Sequence, residues 1–270
     1  MKKARGCFLR NGLVQRAVRL VILFLVFFGP VPAHAAPSPL RVAAAADLMP
    51  VLPSLLKRFT RETGIPVLVS WGASGEEAVA IRHGAPYDLF LSADGAYPER
   101  LAEKGFLEKN SLRVYARGIL VLWVSGPLRK KIPLPVGKSL AKLSQPEIRK
   151  VAMANPRLAP YGRAARQCLF SRGMWVSLKP KVVYGNSLAQ VAWYLRTGAA
   201  QAGFLSEAQA KALSLRVPGE YSVLSPSCVP VLAQKMGILR RTGKPGRARA
   251  LEMFLLGREA QATLRSYGYR

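Results

Sequence analysis

Residues 40–94 read LRVAAAADLMPVLPSLLKRFTRETGIPVLVSWGASGEEAVAIRHGAPYDLFLSAD. Leu40 to Ala45, Ile65 to Ser70 and Asp88 to Ser92 are short apolar runs, too short for helices and rich enough in small or β-branched residues to be buried strands. Between the first two, Leu48, Val51, Leu52, Leu55, Leu56 and Phe59 recur at helical spacing and stop at Thr63-Gly64, a helix end. Pro50 suits a first turn, and Pro53 implies a kink or a later start. Gly75 to His83 reads as a second helix and Tyr97 to Lys104 as a third. This β-α-β-α-β-α order predicts an α/β fold with a mostly parallel sheet flanked by helices.

Leu112 to Ser125 is a long extended run, and Gly126 to Lys138 a Pro/Gly/Lys-rich loop. A second α/β set follows: strands at Val151 to Ala154, Lys181 to Tyr184 and Ala202 to Leu205, with helices at Gly162 to Arg172 and Ser187 to Thr197. Tyr221 to Leu239 is extended again, and Pro245 to Leu256 and Glu259 to Tyr267 are helical. Two such units joined by long extended segments imply two lobes with a ligand cleft at strand C-termini.

Three loops in this pattern join a strand to a helical pattern: Ala43 to Leu48, Ser70 to Gly75, and Asn155 to Gly162. The first amides of a helix lack intrahelical partners and the macrodipole favours negative charge there, so each loop is a candidate anion site.

The N-terminus is a secretion signal in composition. Lys2, Lys3, Arg5, Arg10, Arg16 and Arg19 precede an apolar core, Leu20 to Phe28, and Ala33-His34-Ala35 has the small-x-small cleavage pattern. Nine apolar residues are too few to span a bilayer, which takes roughly 20. Residues 1–35 are therefore read as a signal peptide and the mature chain as starting at Ala36, in the periplasm. Removing those six cations lowers the formal charge from +27 to +21. The remaining cations are dispersed, densest at Arg240-Arg241, Lys244, Arg247 and Arg249, without the aromatic interleaving of a nucleic-acid surface. Nucleic acid is not an expected partner. Cys168 and Cys228 remain after cleavage; an oxidising compartment permits a disulfide, while a buried thiol on the helix also accounts for Cys168. His83 is the only mature histidine and has no ligand-spaced companion, so no protein-bound transition metal or other cofactor is expected. With few acidic residues and no nucleophile–base signature, the chain does not read as an enzyme.

Val42-Ala43-Ala44-Ala45-Ala46-Asp47-Leu48, FTRETG (59–64), SWGASG (70–75), GAPYDLFLSAD (84–94), NPRLAPYG (155–162) and GNSLAQ (185–190), in this order and spacing, resemble the molybdate-binding periplasmic component of an ABC importer. The likeness runs from Leu40 to Tyr269. It implies a two-lobed periplasmic binding protein of the type II kind, with residues 36–112 and 225–270 in lobe 1 and 113–224 in lobe 2. It also implies a monomer that closes over molybdate or tungstate and passes it to a membrane permease. Carrying sulfate or phosphate instead is the alternative. The implied ligand contacts are Ala46 and Asp47 in the first loop, Ser74 in the second, and Tyr161 and Leu188, both through the main chain, on the other lobe; molybdenum is held only as molybdate. Neutral donors suit a carrier, since a fixed ion pair would hinder release.

Asp47 departs from the hydroxyl or amide often found there. Ionised, it would repel a dianion, so its carboxylate is expected to cap a helix near Met49, or to be protonated in an acidic compartment. Ser74 also fits a capping box, Ser74-Gly75-Glu76-Glu77, and Asn186 is expected to cap the helix after it. Ser206 stands where some relatives place a ligand tyrosine and is not counted as a contact.

Overall fold

In the computed structural model, which describes residues 38–126, 140–229 and 232–270, the chain forms two five-stranded sheets. The proposed signal peptide and most of the Gly126 to Lys138 loop lie outside the described residues, and no helix among those described is long and apolar enough to cross a membrane.

The first sheet opens with β1 (Leu40–Ala45), fully buried along most of its length, which leads through a 3-10 turn (Ala46–Leu48) into α1 (Leu52–Thr63). The helix starts later than Leu48, as Pro53 requires, and Gly64 ends it at φ 70°. A left-handed cap is the conformation glycine adopts without a Cβ penalty. β2 (Val67–Gly72), α2 (Ser74–Arg82), β3 (Leu89–Ser92) and α3 (Ala96–Glu103) follow, and β1 pairs in parallel with both β2 and β3. β4 (Arg113–Gly118) also belongs to this sheet. It is reached through β10 (Leu232–Ile238), which runs antiparallel to β3 and β4 and gives the order β2-β1-β3-β10-β4.

The second sheet holds β5 (Leu120–Ser125), β6 (Val151–Ala154), β7 (Val182–Gly185), β8 (Ala202–Ser206) and β9 (Gly219–Val223), in the order β7-β6-β8-β5-β9. β6 is parallel to β7 and β8, and β5 antiparallel to β8 and β9. Each sheet thus has four strands pointing one way and one against them. α4 (Pro160–Ser171), α5 (Leu188–Arg196) and α6 (Glu207–Ser214) connect these strands, and α7 (Pro245–Leu256) and α8 (Arg258–Ser266) close the chain against the first sheet.

The extended run from Leu112 to Ser125 is two strands in different sheets. The change occurs at Gly118 and Ile119, so β4 sits with the first sheet and not with the half assigned to residues 113–224. A side chain at Gly118 is excluded: a Cβ there would lie 2.0 Å from the Tyr161 hydroxyl and 2.7 Å from Gln234 Nε2. The expected strand from Tyr221 to Leu239 is likewise interrupted, by a turn at residues 226–228 that carries Cys228. Cys228 is bonded to Cys168 of α4 with Cα atoms 4.7 Å apart, so the oxidised pair, rather than a free thiol, fills that position.

Candidate functional site

The loops after β1 and β2 meet the helix starts of the second half in a buried seam. Ala45, Ala73 and Ala93 from the first half pack in one apolar cluster with Ala159, Tyr161 and Leu188 from the second. Small residues are needed on the first side because larger ones would hold the backbones apart. Ala46, Asp47, Ser74, Tyr161 and Leu188 are all buried there, each at 4% exposure or less.

Their backbone positions differ in kind. Ser74 and Leu188 are the first residues of α2 and α5, and Tyr161 is the second of α4 after Pro160. Their amides therefore have no intrahelical acceptor, and proline at the first position of α4 loses nothing by lacking an N–H. Ala46 and Asp47 lie in the 3-10 turn, against which α5 packs. The first loop thus leads into a tight turn, and α1 starts only at Leu52. Gly75 N–H, next in α2, donates to Leu158 O of the third loop at 2.9 Å, and a Cβ at Gly75 would stand 2.7 Å from that oxygen. Glycine is required where the two loops touch.

Several side chains act otherwise than their local sequence suggests. Asp47 caps no helix: the N-caps are Ala45 for the 3-10 turn and Val51 for α1, neither with a side-chain bond. Its Oδ2 instead accepts from Gln234 Nε2 at 2.7 Å, from the Tyr269 hydroxyl at 3.2 Å and from the Tyr161 hydroxyl at 3.4 Å. Tyr269 also donates to Asp47 O at 2.8 Å. Ser74 is inside α2 and does not cap it; its Oγ accepts from Ala93 N–H at 3.0 Å. Glu77, the acid of the expected capping box, accepts from Ser70 Oγ at 3.2 Å instead, and it is Glu76 Oε2 that accepts from Ala73 N–H, at 3.3 Å, one residue earlier than expected. Asn186 does not cap α5 either. The N-cap is Ser187, without a side-chain bond, and Asn186 N–H donates to Gln190 Oε1. Ser206 is an N-cap, accepting from Gln209 N–H at 3.2 Å.

Gln234, Tyr269 and Gln209 were not expected at the site. Gln234 also donates to the Tyr161 hydroxyl at 3.1 Å, and Gln209 Nε2 to Ala46 O at 2.7 Å. They come from β10, the C-terminus and α6, and no motif around them marks a ligand loop so distant in sequence. The Tyr161 side chain takes part as well as its amide, because its hydroxyl accepts from Gln234 and donates to Asp47 in this network.

The electrostatics follow from burial. Asp47 is lifted from 3.8 to about 6, chiefly because burial penalises its charged form, against the lowering effect of its hydrogen bonds. Tyr115, Tyr161 and Tyr269 are raised well above the usual phenol value by burial, with the Asp47 charge adding to it, so all three are neutral donors at physiological pH. Among the described residues no cation contributes at Asp47, and no cluster of three or more His, Cys, Asp or Glu residues could hold a metal ion. Asp47 Oδ1, Gln234 Oε1 and Gln209 Oε1 are buried without a partner. Beside the first loop, a cavity of about 340 Å³ is lined by both halves, with Met49 and Pro50 facing Ala189, Trp193 and Gln209. What the seam offers chemically is helix-terminal amides and neutral side-chain donors, the chemistry of an oxyanion site.

Residues 40–270 match the family model of bacterial extracellular solute-binding proteins. The chain is 32% identical to the molybdate-binding protein ModA of Azotobacter vinelandii, over 85% of this chain and 88% of that protein. It is 33% identical to molybdate-binding protein ModA of Rhodobacter capsulatus, over 84% and 86%. Among solved structures, the periplasmic molybdate-binding protein of Azotobacter vinelandii superimposes with a TM-score of 0.78 at 32% identity, covering 86% of this chain and 98% of that one.

Proposed function

The chain belongs to the bacterial extracellular solute-binding proteins, among the molybdate-binding proteins, and we propose that it captures molybdate or tungstate and delivers it to an ABC permease. The observation that carries this reading is the seam itself. The α2, α4 and α5 starts, at Ser74, Tyr161 and Leu188, share it with Ala46 and Asp47 of the first loop. A tetrahedral dianion there would take its hydrogen bonds at its oxide oxygens, from the amides of Ala46, Ser74, Tyr161 and Leu188 and from Asp47 through its main chain or its protonated carboxyl. The molybdenum would touch no protein atom, and the cargo is ligand rather than resident cofactor.

Binding and release without chemistry are what a donor set of helix-terminal amides and neutral side chains supports. We place the mature protein in the periplasm as a monomer, with residues 1–35 removed on export. Ligand that binds only the folded protein raises its melting temperature by mass action, by about 2.7 kcal/mol of stability at a hundredfold excess over Kd. A thermal-shift series with molybdate, tungstate, sulfate and phosphate tests the reading. Large shifts for the first two alone are expected; a shift only with sulfate or phosphate would reassign the cargo, and none with any would remove the proposal.

A further inference from the structure

Arg163 is the fourth residue of α4, two places after Tyr161, and its guanidinium reaches out of the second half. It forms an ion pair with Asp94, just after β3, and donates from Nη1 to the Tyr97 hydroxyl of α3 at 3.3 Å. Its guanidinium carbon lies 5.6 Å from the centre of the Tyr97 ring, within cation–π range. The receiving side is held in place. Asp94 Oδ1 accepts from Ala96 N–H at 2.9 Å, and Asp94 N–H donates to Ser92 Oγ at 3.2 Å. The bond between Gly75 and Leu158 runs alongside, since a Cβ at Gly75 would be 3.1 Å from the Tyr97 hydroxyl.

The Gly75–Leu158 bond joins the start of α2 to the loop that opens α4, where the oxyanion amides are, and the Arg163 contacts tie α4 to Asp94 and to the start of α3. Two positive helix ends brought together repel unless a negative charge lies between them, so the closed arrangement is costly when no anion is bound. Arg163 adds a further positive charge there, and Asp94 supplies its countercharge from across the seam. We propose that Arg163 is a latch: without touching the anion, it sets how long the two halves stay closed over it, through Asp94 and Tyr97. The inference rests on the oxyanion reading and adds a positioning residue to it.

The test is molybdate release from the mature protein by stopped-flow fluorescence, for wild type, Arg163→Ala, Asp94→Asn and the double variant. Asparagine keeps the Oδ1 acceptor for Ala96. Each single change is expected to speed release about 5- to 30-fold, the span for a partly buried charge pair with a hydrogen bond, with the association rate little changed. The double variant should release no faster than the faster single variant. Melting of the ligand-free protein should stay at the wild-type temperature while that of the saturated protein falls, which a purely structural role would not produce. Wild-type release rates in the variants, additive effects, or an equal loss of ligand-free stability would overturn the latch alone. A wild-type protein that takes up neither molybdate nor tungstate would overturn the oxyanion reading and the latch with it.

Discussion

Gln234 and Asp47, 187 positions apart in the chain, meet at 2.7 Å in the buried seam, where Gln234 Nε2 donates to Asp47 Oδ2. The bond ties β10, which returns to the first sheet after the whole second half has been built, to the first loop. Tyr269 adds a second tie from the C-terminus, 222 residues away. All three donors fall on one oxygen, leaving Oδ1 buried without a partner. The three donors favour the charged carboxylate, but burial favours the neutral form and outweighs them.

The stability of the ligand-free protein should show this. A carboxyl raised from 3.8 to about 6 by burial binds its proton more tightly in the folded state. Its stabilising contribution is therefore complete below about pH 4 and is lost as the pH rises to about 6. Two pH units correspond to about 3 kcal/mol. Denaturant titrations of wild type and Asp47→Asn at pH 4 and pH 7 separate this group from all others. The stability difference between the two proteins should shift by about that amount in favour of the asparagine variant at pH 7; a constant difference would place the Asp47 proton elsewhere.

Affinity should respond to the same proton. An ionised Asp47 beside a dianion is repulsive, and among the described residues no cation acts on Asp47 to offset it, so wild-type affinity for molybdate is expected to rise as pH falls from 8 towards 6. In Asp47→Asn, whose amide can donate at any pH, this dependence should flatten. Titrations across that range check it. A steep dependence that persists in the variant would assign the titration to another group.

Ser74 makes a separable prediction. Its hydroxyl is the acceptor for the buried Ala93 N–H, so Ser74→Ala leaves that donor without a partner and should cost about 1–3 kcal/mol of stability. If the same hydroxyl donates to the oxyanion, molybdate affinity should also fall, by roughly tenfold or more. Denaturation and calorimetry on the one variant measure both. Lost stability with wild-type affinity would make Ser74 a strut for Ala93 only.

The parallel cores were legible in the sequence because strands buried on both faces read as unbroken apolar runs, and because Pro53 and Gly64 mark where α1 can begin and must end. The sheet change at Gly118–Ile119 was not, since Leu112 to Ser125 reads as one extended run and the Tyr161 hydroxyl that excludes a side chain at Gly118 lies far along the chain. The five candidate contacts came from motif resemblance rather than from local pattern. Local rules failed for the cap assignments at Asp47 and Ser74, which have the residue types of helix caps but whose oxygens are taken by tertiary donors from Gln234, Tyr269 and Ala93. The latch residue Arg163 follows the NPRLAPYG block directly, but its partners Asp94 and Tyr97 are set only by how the two halves face each other.

The most direct measurement is isothermal titration calorimetry of the mature protein from Ala36 with molybdate, repeated in the presence of millimolar-scale sulfate. One molybdate per chain, bound with an affinity that excess sulfate leaves unchanged, is the result expected of a seam built for the larger dianion. Sulfate that displaces molybdate at comparable concentration, or a molybdate titration without heat at several temperatures, would contradict it.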